Sequence, residues 1–351
     1  HNLFEVNKFC ENYPRGKREL LSPMQRFQAK DTIEWFAQQG VKIVAESDGR
    51  MFPESNTSET IISTYMDLVE ELEITIQPRT AIKELEAFDG GWNLVDQKKQ
   101  VYFCEKVLIA TGSGEGGYRL AESLGHRITE RAPSLFSFKI KSPLLDGLQG
   151  LSFPKSHLKL SIAKKKNFKQ SGPLLITHWG LSGPGVLKLS AWAAREMKQA
   201  NYEATLSVNW LEDLEREEIQ AKLQGFKETS PKSQVKNIYP QELPKRFWQN
   251  LLYFLKIEED KQWANISKKE TQKILEALTN SIFQISGQNR FKEEFVECGG
   301  VKTSEVDFKT MQSKIVPGLH FSGEILDIDG VTGGFNFQNA WSTGYVSSLP
   351  S

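Results

Sequence analysis

Apolar residues recur at helical spacing in two early stretches. Over 31–39, Ile33, Trp35 and Phe36 are apolar, Asp31 and Glu34 have the spacing of a capping box, and Gly40 closes the helix. From about Ser58 to Leu72, Ile61, Ile62, Tyr65, Leu68 and Val69 share one face. Between them V-K-I-V (41–44) predicts a strand and D-G-R (48–50) a turn; I-T-I-Q (74–77) predicts a further short strand. A-I-K-E-L-E-A, G-G-W-N-L-V and Q-V-Y-F follow, separated by turn residues, which is the pattern of an antiparallel meander. K-V-L-I-A-T-G (106–112) is an apolar run bounded by polar residues, as in a buried parallel strand. The first 125 residues thus read as α/β with a meander as crossover.

The pattern changes after Pro133. Short strands, a basic loop (Lys164, Lys165, Lys166, Lys169) and one helix near 184–199 are expected up to about Asn209. From about Leu211 to Leu278 the chain is helical and charged, broken at Pro231, Pro240 and Pro244. Near Phe295 the α/β character returns: G-L-H-F-S-G-E (318–324) predicts a strand, then a glycine-rich turn and a helix from about Gln338. The expectation is one discontinuous α/β domain, residues 1–133 and 295–351. A mainly-β subdomain (134–210) and a helical subdomain (211–294) are inserted into it.

Composition narrows the function. The 351 residues carry 44 Lys and Arg against 44 Asp and Glu. Zero net charge argues against a nucleic-acid partner or a membrane surface, both of which call for a basic excess. No apolar run approaches the ~20 residues of a membrane span. Cys10, Cys104 and Cys298 are scattered with no C-x-x-C, which points to a reduced, cytoplasmic setting. The opening at His1 is no signal peptide and reads as a start inside a longer protein.

The densest chemistry lies in 323–344, with Gly323, Gly330, Gly333, Gly334 and Gly344. Gly-Gly before a helix lets backbone N–H groups approach an anionic ligand, and Glu324 at a strand end can accept hydrogen bonds from sugar or ribityl hydroxyls. A tight loop with an ordinary cap is the plainer alternative. A-T-G at 110–112 ends a strand where α/β folds bind ligands, or is simply a turn. In I-T-H-W-G-L-S-G-P-G (176–185), Thr177 and His178 either line a pocket or belong to a structural turn. His126 reads as a helix-end cap, and His157 and His320 have no companions, so no metal site is expected. Arg15 and Arg50, in turns, either meet a phosphate or carboxylate or lie at the surface. The lysine run reads as a solvated loop.

Taken in order, N-Y-P-R-G, D-T-I-E-W-F, D-G-R-M-F-P, V-L-I-A-T-G, Y-R-L-A-E-S-L-G-H, T-H-W-G-L-S-G-P and the long stretch from V-P-G-L-H-F-S-G-E to A-W-S-T-G resemble the BaiN/RdsA-type NAD(P)/FAD-dependent oxidoreductases, a group that includes aminoacetone-oxidase-like flavoproteins. The resemblance spans nearly the whole chain. It implies a Rossmann-like, glutathione-reductase-like FAD domain with a β-meander and an inserted barrel-like plus helical domain. Such proteins open with a βαβ unit carrying G-x-G-x-x-G, and no such motif is read in this chain. The resemblance implies that Gly323 and Glu324 meet the pyrophosphate and ribityl region. It places Gly333, Gly334, Phe335, Asn336 and Phe337 beneath the flavin ring, Thr111 and Gly112 along the dinucleotide, and Ile82 near the adenine. Thr177 and His178 would face the flavin, with His178 as a candidate acid. The expected activity is NAD(P)H-dependent flavin reduction followed by hydride transfer to a small organic substrate. An amine oxidase using oxygen, or a non-catalytic remnant, are the alternatives.

Overall fold

The computed structural model describes residues 1–162, 166–289 and 296–350. Two compact units emerge, His1–Ala132 with Val296–Ser351, and Pro133–Phe295. In the first, α1 (Val6–Cys10) and α2 (Leu21–Arg26) precede α3 (Ala29–Gln38). α3 starts before the expected Asp31. Gln28 is its N-cap, and its N–H donates to the Asp31 carboxylate at 2.7 Å, so the capping box lies three residues earlier than Asp31–Glu34. β1 (Ile43–Ala45) pairs antiparallel with β2 (Met51–Pro53) across the expected turn. α4 (Ser58–Glu71) is capped by the Thr57 hydroxyl, which accepts the Glu59 N–H at 3.2 Å. No strand forms at 74–77. Ile74 and Ile76 are exposed there and no neighbouring strand supplies ladder bonds. The meander forms as expected, from β3 (Ile82–Phe88), β4 (Gly91–Asp96) and β5 (Val101–Cys104). β6 (Val107–Ile109), α5 (Glu115–Ser123) and β7 (Ile128–Ser134) follow.

The second unit contains β8 (Ser137–Ile140), β9 (Ser152–Ile162), β10 (Lys166–Thr177), β11 (Gly180–Ser182), α6 (Pro184–Trp192), α7 (Ala194–Gln199), β12 (Glu203–Asn209), α8 (Arg216–Thr229), α9 (Lys245–Phe254), α10 (Lys268–Thr279) and β13 (Ser281–Asn289). The strands close a six-stranded barrel in the order β10-β11-β8-β13-β12-β9. The helix expected at 184–199 is two helices, divided at Ala193. Ser281–Asn289 lies in the segment expected to be helical, yet it alternates Ser281, Phe283 and Ile285 inward with Ile282, Gln284 and Ser286 outward, a strand period. Residues 290–294 of that segment lie outside the described residues. Of the expected basic loop, Lys164 and Lys165 also lie outside them, while Lys166 and Lys169 are on β10.

Leu158, Leu160, Leu174, Ile176, Leu206, Val208, Phe283 and Ile285 fill the barrel, and Phe247 and Trp248 of α9 join the same core with Trp210, just after β12, and Trp263, in the connection before α10. Each buried indole N–H finds an acceptor: Trp210 at Ser281 Oγ (2.9 Å), Trp248 at the Val235 carbonyl (2.9 Å), Trp263 at the Ile238 carbonyl (3.0 Å). Gly180 is held by close approach, since a Cβ there would stand 2.4 Å from the Phe138 carbonyl oxygen across the β11–β8 ladder.

The chain returns to the first unit with β14 (Val296–Val301), paired with β7, and then β15 (Val306–Asp307), β16 (Gln312–Ser313), β17 (Leu319–Phe321) and α11 (Phe335–Ser348). A four-stranded sheet has the order β15-β16-β17-β6. Its β17–β6 pair is parallel, with Phe321 opposite Ile109. β6 is an outer strand of that sheet, and Leu108 on it is 46% exposed. α11 begins three residues before the expected Gln338. Among the described residues no helix is long and apolar enough to cross a membrane.

Candidate functional site

Because β6 and β17 are parallel and in register, the chain leaves both at the same edge of the sheet. Thr111-Gly112 and Gly323-Glu324 emerge side by side, at the carboxyl ends of adjacent strands where open α/β sheets bind ligands. A Cβ at Gly112 would stand only 3.9 Å from Glu324 Oε2. Glu324 accepts the Glu297 N–H at 3.0 Å. Burial pushes its carboxyl pKa up, the nearby charges of Glu297 and Asp329 add to that, and the Glu297 N–H pulls the other way. A carboxylate held in this state lacks hydrogen-bond donors, and hydroxyl donors of a sugar would suit it.

The strand-end turn carries more than was read from it. Gly112, Gly114 and Gly117 have the spacing G-x-G-x-x-G, directly after β6 and opening α5. The packing role of the third glycine is plain: a Cβ on Gly117 would fall 1.9 Å from Thr111 Oγ1. The charges are wrong for a phosphate. Glu115 stands in the first turn of α5, with Glu297 and Glu324 nearby, and Arg131 is shared between Glu115 and Glu297. This turn fits hydroxyl groups better than a diphosphate.

An anion is better placed at α11. Gly334 is its N-cap in the left-handed conformation (φ 87°), and no side chain caps the first-turn N–H groups. The Asn336 side chain is spent locally: it accepts the Gly330 N–H at 2.7 Å and donates to the Gly330 carbonyl at 3.0 Å. Phe335 is buried, while Phe337 is exposed and stacks on Trp341. The backbone here, rather than Asn336, is left for a ligand.

The N-Y-P-R-G segment turns out to be the buttress of this loop. The Asn12 carbonyl accepts the Val331 N–H at 2.9 Å, and the Tyr13 hydroxyl donates to the Phe335 carbonyl at 2.6 Å. The Arg15 guanidinium, 12% exposed, makes a two-pronged ion pair with Asp329, whose side chain is wholly buried. Gly16 packs against Ile328, where a Cβ would approach within 2.5 Å. Sequence reading noticed Arg15 but not its partner; the only signal was Asp329 in the glycine-flanked D-I-D-G.

The other expected site residues are placed as follows. Ile82 begins β3 and pairs with Asp96. Arg50 is at the surface, paired with Glu46 and Asp48 over the Phe52 ring. Thr177 and His178 belong to the second unit, at the β10–β11 turn: Thr177 Oγ1 donates to the Gly180 carbonyl at 3.2 Å and His178 is exposed. His126 is fully internal, with Nε2 2.9 Å from Ser313 Oγ and Nδ1 3.2 Å from Glu305 Oε2.

Burial lowers the His126 pKa, and Glu305 only partly opposes it; His320 is lowered by burial as well. Folded histidines that resist protonation stabilise the protein above their ordinary pKa of about 6.5, and that stability is lost as pH falls below it. Thermal unfolding between pH 7.5 and 5.5 should show a Tm falling toward acid, and His126→Gln should flatten the slope, leaving the His320 share. An unchanged slope would remove His126 from this role.

The chain was compared with known proteins. The family model for the HI0933-like protein Rossmann domain matches residues 1–349. The ribosomal RNA dihydrouridine synthase of Escherichia coli is 30% identical over 334 residues, covering 93% of this chain and 80% of that protein. Its namesake from Haemophilus influenzae is 28% identical over 341 residues, covering 93% and 81%. The 3-dehydro-bile acid delta(4,6)-reductase of Clostridium scindens is 24% identical over 332 residues, covering 92% and 80%.

Proposed function

The chain belongs to the HI0933-like Rossmann family, and on that footing we propose that it is an FAD-dependent oxidoreductase that reduces a carbon–carbon double bond conjugated to a carbonyl. One observation carries the reading: Thr111-Gly112 and Gly323-Glu324 emerge together from parallel strands, in the same unit as an uncapped, glycine-entered α11. The discontinuous first unit is the proposed FAD domain.

Two kinds of relative support the reaction class. A dihydrouridine synthase saturates a uracil ring, and a delta(4,6)-reductase saturates double bonds conjugated to a 3-oxo group. The uracil reaction places a hydride β to a carbonyl and a proton α to it, and the 3-oxo-4,6-diene takes its hydride β or, through the longer conjugation, δ to the carbonyl, with a proton completing the saturated bond. Uracil within RNA is the favoured substrate, because the RNA-named relatives are the more similar ones.

FAD, when bound, supplies the hydride, with NAD(P)H as the proposed source of electrons. Glu324 would accept hydrogen bonds from the cofactor's ribityl or ribose hydroxyls. The first-turn N–H groups of α11 would favour negative charge, by about 0.3–2 kcal/mol. Arg15, Asp329 and Asn336 hold the loop in place so that binding does not have to order it. Within the second unit, Thr177 fixes the turn that carries the exposed His178 through the Gly180 carbonyl.

The test is anaerobic. NADH or NADPH should bleach the visible flavin band of the FAD-loaded protein, and a uridine-containing RNA or a 3-oxo-4,6-diene steroid should restore it. Bleaching by a small amine instead, with peroxide formed in air, would replace the reductase with an oxidase.

A further inference from the structure

The zero net charge is the sum of two opposed halves. Residues 133–295 carry 25 Lys and Arg against 17 Asp and Glu, and the remainder carries 19 against 27. The excess is concentrated further: residues 133–210 hold eleven basic residues against three acidic ones. Between Asp146 and Glu196 there is no Asp or Glu at all, but eight Lys and Arg.

The structure spreads much of this stretch over β9 and β10. Lys159 and Lys169 are direct cross-strand partners, both exposed, and Ser207 on β12 continues the row. Like charges directly opposite each other on a sheet cost stability. Neither has an acidic partner among the described residues, whereas Lys155 and Lys166 are paired with Asp213 and Glu196. The rows on either side on the same outward face are uncharged hydrogen-bonding groups: Asn167, Ser161 and Thr205 on one, Ser171, His157 and Asn209 on the other. Among the described residues of β9, β10, β12 and β13, Glu203 at the far end is the one carboxylate on this face, and from the chain after β12 Glu212 stands 4.0 Å from His157 Nδ1 at the other end of the rows. An uncompensated lysine pair set among hydroxyls and amides is what a phosphate backbone calls for.

We propose that the outward face of β9, β10 and β12 is a docking surface for the phosphates of a structured RNA, resting on the reading above that the reduced ring is a base in RNA. The surface positions the RNA and reads no sequence. Docking on a flat barrel face through two lysines gives modest affinity with a clear salt dependence.

The experiment uses the FAD-loaded full chain and a fluorescein-labelled RNA stem-loop, followed by anisotropy across a salt series. Lys159→Ala with Lys169→Ala should weaken binding at low salt at least tenfold and lower the slope of log K against log salt by about two, one for each lysine. Its Tm should not fall, because the like-charge contact is relieved. Unchanged affinity and slope would overturn the proposal. So would phosphatidylserine vesicles or polyglutamate binding through these lysines while the RNA does not. Flavin bleaching by NAD(P)H without RNA reads the reductase separately. Bleaching without RNA binding overturns the surface alone, and lysine-dependent RNA binding without uracil reduction overturns the reductase alone.

Discussion

Asp329→Asn is expected to destabilise the unit that contains it by about 3–5 kcal/mol, because it strands the Arg15 guanidinium in a nearly closed site without its counter-charge. Water can do little to replace it, since Arg15 is 12% exposed and Asp329 not at all, and Asp327 is left as the more distant nearby carboxylate. The loss should appear in urea unfolding as a lower midpoint for the first unit, with the barrel's transition unmoved. Replacing both partners by apolar residues, Arg15→Met with Asp329→Leu, should recover most of it, since the cost lies in the orphaned charge rather than in the lost attraction. A loss below about 1 kcal/mol for the single variant would mean that water reaches Arg15 and that the pair is an ordinary surface bridge.

Glu324→Gln should move two observables in opposite directions. Burial raises the Glu324 pKa in the folded protein. A raised carboxylate stabilises the fold below its ordinary pKa near 4.5, and that benefit is lost as pH rises through the folded value, so at pH 8 the ionised group is a burden. The amide carries no charge and still accepts the Glu297 N–H. Cofactor-free protein should therefore gain Tm at pH 8 and gain little near pH 4. FAD affinity should fall roughly five- to thirteenfold, as a charge-assisted hydrogen bond worth about 1.5–3 kcal/mol becomes a neutral one worth about 0.5–1.5. A gain in stability with unchanged FAD affinity would mean that the carboxylate touches no part of the cofactor.

Elements whose signal is local were legible in the sequence. α4 has a helical stripe, and the meander has turn residues at each corner; both form as read. I-T-I-Q at 74–77 has good strand composition but no neighbour to bond, and a strand is a property of a pair. Ser281–Asn289 did carry a strand period, which the charged helices before it obscured. At the site, the glycines before α11 announced themselves, and Arg15 stood out in its turn, but nothing in the sequence joins it to Asp329 across 314 positions. At 110–117 the strand-end position reads as either a ligand edge or a turn, and the G-x-G-x-x-G spacing of 112–117 within it goes unread. A whole-chain total of zero does not say where the charges lie, and residues 133–210 hold eleven basic residues against three acidic ones.

β6 has consequences for how the protein is made. Its hydrogen-bonded neighbour in the sheet is β17, and the chain between them contains the whole barrel unit. The buttress residues 12–16 likewise wait for 328–335. During synthesis at about 5–20 residues per second, on the order of ten to forty seconds separate β6 from the strand that covers it. The barrel unit is contiguous and can close within that interval. The order of assembly is then the reverse of the order of synthesis: the middle of the chain folds first, and its beginning is completed last, by its end.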